Sequence, residues 1–195
     1  MEQWEIKGGV LEYIDETHTY LYDGIVLPSI TQLLNVKFGS KYDGIPKSVL
    51  NRAAELGTAV HKAIEDYQRH GIETDLPELQ GWKFLKESYG FCCLDNEVPV
   101  VLFKDGEAVA CGRLDLVLAE NGCIGLGDIK RTSKLDKKYL AYQLNLYRVA
   151  YTQCYNAEIA FLMGIHLRND VRKYIDIPIN ENLVYEAIND YMKEI

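Results

Sequence analysis

Asp115 and the triplet Asp128-Ile129-Lys130 are the residues of this chain most able to do chemistry together. They lie in "EAVACGRLDLVLA" and "CIGLGDIK", two β-prone runs joined by Asn121-Gly122. Asn-Gly between such runs is a strong signal for a two-residue hairpin turn. With that turn, Leu116 faces Gly127 and Asp115 faces Asp128. Side chains alternate along a strand, so Lys130 projects from the same face as Asp128. Directly opposed residues have Cβ atoms about 4.5–5.5 Å apart, and like charges there are destabilising. Three accounts fit the pair: a surface pair with Lys130 as counter-ion, a slipped register that separates the acids, or a divalent cation between them. Mg²⁺ prefers one or two carboxylates plus waters and substrate phosphate. Such an ion polarises a phosphodiester and lowers the pKa of a water. Lys130 beside it orients that water or stabilises charge on the phosphate.

The elements that must position these residues follow from pattern. Val10 to Ile14 and Thr17 to Tyr22 read as strands of a hairpin or meander, with a turn at Asp23-Gly24. Ser29, with Gln32 three residues on, reads as the capping box of a short helix. A loop is expected at 37–46. A helix is expected from about Lys47 to His70, stopped by Gly71, with Leu50, Ala53, Ala54, Val60 and Ile64 as its apolar stripe. His61 and Glu65 are four apart at the edge of that face. A further helix, about Pro77 to Tyr89, presents Leu79, Trp82, Leu85 and Tyr89. Three strands then form a meander, with turns at Asp105-Gly106 and Asn121-Gly122. A long helix, about Leu135 to Tyr155, leads to strands in "AEIAFLMGIHL" and "VRKYIDIPI" and to a final helix capped by Asn180. The expected fold is α/β (α+β), one mixed sheet flanked by helices in the order αβββαβ. It is read as one domain over 1–195: an N-terminal hairpin and helix at 1–46, a core at 47–166, and a C-terminal strand and helix at 167–195.

Bulk properties narrow the function classes. The 195 residues are 48% hydrophobic and 26% charged, as in an ordinary globular protein. No apolar run approaches the roughly 18 residues of a membrane span, and the N-terminus lacks a signal-peptide pattern, so a cytoplasmic protein is expected. The net charge of −8 argues against a passive nucleic-acid coat. It leaves room for an enzyme that grips DNA through a local basic groove. The five cysteines are odd in number and none has CxxC spacing, so buried reduced thiols are expected rather than zinc or iron–sulphur.

"GRLDLVLAENGCIGLGDIK" resembles motifs II and III of the PD-(D/E)XK nuclease superfamily. "GTAVHKAIE" resembles the helix upstream of the core in its RecB-like and phage exonuclease branch, and "YQLNLYRVAY" the helix after motif III. "DETHTYLYDGIVLPSITQLL" resembles the N-terminal hairpin and helix of phage-encoded relatives, and "NEVPVVL" their first core strand. The resemblance spans about residues 10 to 165. It implies Asp115, Asp128 and His61 as ligands of Mg²⁺ or Mn²⁺, with the Ile129 carbonyl as a further ligand. It implies Lys130 as the catalytic lysine, and Gln143 and Tyr147 as groups that hold substrate or position Lys130. It also implies a glutamate at the position of Glu97. The Asp105-Gly106 turn makes Glu97 face Leu114, so a bulge or longer turn is needed for it to reach the metal. Arg131 stands where many relatives have a small hydroxyl residue; it touches a phosphate or points to solvent. The iron–sulphur subtype is excluded, because no cysteine follows Cys154.

Plainer readings stand beside these. A lone His61 is a structural histidine, and Glu65 is either its hydrogen-bond acceptor or a surface acid. His18 reads as a hairpin residue. Lys130, Arg131, Lys134, Lys137 and Lys138 form either a solvated face or a phosphate track. The resemblance implies a metal-dependent DNA nuclease, an exonuclease of the phage recombination and repair type, in a bacterial or phage-infected cell. Its partners are DNA with a free end, single- or double-stranded, and a single-strand annealing or recombination protein. The rivals are a non-catalytic nucleic-acid- or protein-binding module on the same fold, and a structure-specific endonuclease.

Overall fold

The structure, a computed structural model, describes residues 1–39 and 44–194. The N-terminal segment is a four-stranded antiparallel meander of β1 (Glu2–Ile6), β2 (Gly9–Ile14), β3 (Thr19–Tyr22) and β4 (Ile25–Leu27). Lys7-Gly8 and Asp23-Gly24 have positive φ at both residues, which suits the twist of tight hairpins. The expected hairpin is the middle of this meander. β1 went unread because five residues carry too little alternation to stand out.

Helix α1 (Ile30–Phe38) begins with the capping box expected at Ser29 and Gln32. Part of the loop expected at 37–46, residues 40–43, lies outside the described residues. Helices α2 (Lys47–His70) and α3 (Pro77–Tyr89) have the bounds their patterns indicate. Gly71, in the left-handed region at φ +68°, ends α2. The stripe on α2 needs correction. Val60 and Ile64 are buried, but Ala53 and Ala54 are exposed and Leu50 is half-buried. Only the C-terminal half of α2 lies over the sheet. Tyr89 is also exposed, and it stacks on Tyr174.

The second sheet has the order β5 (Cys92–Lys104), β6 (Glu107–Glu120), β7 (Cys123–Lys130), β8 (Phe161–Arg168), β9 (Val171–Ile177). It is mixed: β7 and β8 are parallel, joined over one face by α4 (Lys137–Tyr155), and the other neighbours are antiparallel. Helix α5 (Glu181–Met192) follows, capped by the Asn180 side chain. Helices flank both faces. On one, Leu34 of α1, Leu140 and Leu144 of α4 and Ile188 of α5 pack with Val100, Leu126 and Leu162. On the other, Ile64 of α2 and Leu79, Trp82 and Leu85 of α3 pack with Leu118, Ile129, Met163 and Ile165. Full burial of each such side chain stabilises by roughly 1.5–3 kcal/mol. The meander rests on the outer half of β5 and β6, where Leu11, Tyr13 and Tyr20 cover Val101 and Cys111. Among the described residues, no helix is long and apolar enough to cross a membrane.

Candidate metal centre

The β6–β7 turn, Asn121-Gly122, has positive φ at both residues and sets the expected register: Leu116 pairs with Gly127. The ladder stops there. Asp115 does not continue it as the backbone partner of Asp128. Its side chain turns instead to accept the Ile129 N–H, at 2.7 Å from Oδ2. The alternation of β6 breaks at this residue. Leu114 packs on the α4 side of the sheet, while Leu116 packs on the α3 side. In a regular strand these two would share a face.

Strand β5 is disturbed at the matching place, Glu97. A bulge at Val109 of β6, opposite Leu102 and Phe103, shifts the register by one residue, so Val98, not Glu97, pairs with Leu114. The expected Glu97–Leu114 pairing is thereby corrected. The pairs Val98–Leu114 and Asn96–Leu116 place Glu97 across from Asp115. Glu97 sits at φ +52°, a left-handed conformation that costs a side-chain-bearing residue roughly 1–2 kcal/mol. Two disruptions in neighbouring strands thus deliver two carboxylates to one point.

His61 reaches the same point from α2. Its Nδ1 lies 3.5 Å from Glu97 and 3.7 Å from Asp115. His61, Glu97 and Asp115 each offer a ligand atom within 4.8 Å of the others. Ligands on opposite sides of an ion held at about 2.1 Å stand about 4.2 Å apart, so small movements close the set on a cation. His61 Nε2 is 3.1 Å from the Ile129 carbonyl. That separation is a hydrogen bond, so the Ile129 carbonyl, expected as a further ligand, lies at the ring edge away from the carboxylates and orients the imidazole instead. Two carboxylates and one imidazole suit Mg²⁺ or Mn²⁺.

Asp128 is buried and lies beside this group rather than inside it. Lys130 Nζ contacts both of its oxygens, at 2.9 and 2.7 Å. Burial pushes the Asp128 carboxyl up to about 6, against the pull of Lys130. Burial likewise raises Asp115, against His61 and Lys130. For Lys130, burial pulls down, but Asp128 and Asp115 outweigh it and the ammonium is held. Burial also pulls His61 down, yet Asp115 and Glu97 lift it to about 9. The site therefore gathers Glu97, Asp115 and Asp128 around His61, Lys130 and Arg113, a balance that a dication would shift strongly.

Gln143 and Tyr147 of α4 line one cavity of about 320 Å³ with Glu97, Asp115, Asp128 and Lys130. Tyr147 is tucked against Gly112, where a Cβ would lie 3.0 Å from its Oη. One expectation fails, and one pair of alternatives is narrowed. Arg131 faces neither phosphate nor solvent: its Nε is 2.8 Å from the buried Glu78 of α3, and Nη2 is 3.3 Å from Asn169. Glu65 does not touch His61; it pairs with Arg69, one helical turn on, at 3.2 Å. Lys134, Lys137 and Lys138 are exposed on the surface.

The sequence reading missed Arg113. It contacts Glu97 at 3.6 Å and Glu2 at 3.1 Å, and lies over the Tyr13 ring. It also missed the cavity's other wall, formed by Tyr13, Tyr20, Ser29, Thr31 and Gln32. His18 joins that wall, with Nδ1 2.7 Å from Tyr13 Oη. The only available signal was that "GRLD" puts a cation two residues from Asp115.

No protein-family model matches the chain, and no curated protein matches it either. Among solved structures, it is similar to the one titled "Crystal structure of SSO0001", with 19% identity and a TM-score of 0.49 over 86% of this chain and 75% of the other.

Proposed function

We propose that this chain is a Mg²⁺- or Mn²⁺-dependent DNA nuclease with a PD-(D/E)XK core, acting as an exonuclease. The observation that carries the reading is the convergence of His61, Glu97 and Asp115 beside the Asp128–Lys130 pair, where Glu97, both aspartates and Lys130 line one cavity. Support also comes from the chain order of these residues, which follows the motif order of the superfamily that the sequence resembles. His61, through Nδ1, with Glu97 and Asp115, would hold the ion, and the Ile129 carbonyl at Nε2 would orient the ring. A divalent cation there supplies polarisation of the phosphodiester and a lowered pKa for the attacking water.

The remaining chemistry belongs to the side chains. Lys130, held by both oxygens of Asp128 at 2.9 and 2.7 Å, serves as a fixed cation for the phosphate oxygens. Asp128 aims that cation, and Asp115, anchored on the Ile129 N–H, is aimed in turn by the backbone. The break in β5 and β6 gives the acids their inward direction without any loop.

The test is end-labelled linear DNA beside closed circular DNA, with Mg²⁺, Mn²⁺ or EDTA, for wild type and Lys130→Met. Short products released from linear DNA alone, absent in EDTA and reduced about 10²–10³-fold in the variant, are expected. Cutting in EDTA, or a variant as fast as wild type, would refute the reading. Cutting of the closed circle would make it an endonuclease. DNA retention without cutting would make it a binding module.

A further inference from the structure

The cavity that holds the acids has a second wall, built from the N-terminal meander and α1, to which the nuclease reading gives no task. Tyr20, Gln143 and Tyr147 line this cavity and are each more than nine-tenths buried. Their side chains make no hydrogen bond among the described residues, and Gln143 Oε1 is buried without a partner. Buried polar groups in folded proteins are nearly always hydrogen-bonded. This carboxamide and two hydroxyls on one cavity point to a ligand that bonds them.

The chemistry of that ligand follows from the groups. Burial pushes Tyr147 well above the ordinary phenol value, so its hydroxyl stays a donor. Gln143 presents a carboxamide whose N–H₂ can face the cavity. Ser29, Thr31 and Gln32 bring the N-terminus of α1 to the same space. Its capping box uses the Ser29 and Gln32 N–H groups, and the bridge of Ser29 with Cys111 occupies that of Ile30, which leaves the Thr31 N–H without an acceptor in the helix. No acidic residue occupies this first turn. A free N–H and the positive end of a helix dipole favour an anion. Many donors on a rigid wall suit an acceptor-rich anion such as a phosphodiester.

We propose that Tyr20, Gln143 and the α1 N-terminus form a second phosphate subsite, which takes a backbone phosphate neighbouring the one held at the acidic centre. This rests on the nuclease reading and deepens it: the substrate is a strand gripped by at least two phosphates. The meander then serves as part of the substrate groove.

The test compares a thymidine dinucleotide, with one phosphate, and a trinucleotide, with two, in Ca²⁺ by calorimetry. The second phosphate should tighten binding to wild type at least tenfold. Thr31→Glu places a carboxylate in the subsite, yet an acid in the first helical turn favours folding. It should cut the gain below twofold, and Tyr20→Phe should reduce it at least fivefold. Mn²⁺ affinity should change less than twofold in both. A wild type without the gain, or variants that keep it, would overturn the proposal. The comparison needs no cleavage, so a silent nuclease assay refutes the nuclease reading alone.

Discussion

Arg131→Met separates two neighbouring cations that sequence alone treats alike. The Arg131 guanidinium is 15% exposed and lies 2.8 Å from Glu78, whose side chain is 2% exposed. Glu78 also accepts the Asn169 N–H at 3.0 Å. Removing one partner of a buried pair typically costs about 3–5 kcal/mol. Here Glu78 keeps the Asn169 N–H and a place in the first turn of α3, so about 2–3 kcal/mol is expected. In a chain of this size each kcal/mol moves Tm by about 2–4 °C, which gives a drop of about 4–12 °C. Cleavage under saturating metal and DNA at 25 °C should stay within twofold of wild type. The salt dependence of DNA binding should not change, whereas losing a phosphate contact lowers its slope by about one. Thermal melts followed by circular dichroism, with cleavage rates on the same samples, decide the matter. An unchanged Tm with cleavage down tenfold would show that Arg131 leaves Glu78 to hold substrate, and the structural assignment would be wrong.

Two further outcomes follow from the same packing. Glu78 is held below the ordinary carboxylate range: burial opposes this, but the Asn169 N–H and Arg131 outweigh it. A depressed acid stabilises the fold above its unfolded value, about 4.5, and that contribution is lost as pH falls through the folded value. Glu78→Gln should therefore be less stable than wild type at pH 7, with the gap narrowing at pH 3.5; urea midpoints with equal gaps at both pH values would contradict it. Gly112→Ala sets a methyl 3.0 Å from Tyr147 Oη, a crowding worth about 1–2 kcal/mol. Adding Tyr147→Phe removes the nearest atom, so the double variant should beat the sum of the singles by about 0.5–1.5 kcal/mol, and strict additivity in urea melts would show that the ring moves freely.

Much of the scaffold was legible because it rests on local chemistry. Asn121-Gly122 and Asp105-Gly106 announce their turns, and Gly71 and Gly90 end their helices in the left-handed region. The illegible parts are those where neighbouring strands negotiate. The bulge beside Leu102 needs no special residue, and "EAVACG" is as β-prone with it as without. Nothing in "DNEVP" foretells a left-handed Glu97, since glutamate is not a residue that favours it. Counting from the turn therefore put Glu97 one place off, while the motif resemblance put it in the site. Helix α2 shows the opposite failure. Its stripe is regular, but a stripe is buried only where another element covers it, and the sheet begins beneath Val60.

The contrast between Lys130 and Arg131 shows how far the period of a strand can decide a role. Asp128 and Lys130 share the parity of Leu126, which packs toward α4. Arg131 shares the parity of Ile129, which packs toward α2 and α3. Strand β7 ends at Lys130, yet the alternation carries one residue further and sends the guanidinium to Glu78. The rule that set Lys130 beside Asp128 therefore already excluded Arg131 from the same cavity. What the rule could not supply was the partner, because a buried Glu78 on α3 becomes visible only when the helix is laid on the sheet. Lys130→Arg/Arg131→Lys, which keeps the net charge and exchanges the two heads, should then impair both functions. Cleavage should fall because a planar fork replaces a compact cation beside Asp128, and Tm should fall because an ammonium cannot contact Glu78 and Asn169 together. If the exchanged protein cut and melted like wild type, position along the strand would count for less than total charge, and the division of labour argued for these two residues would fail.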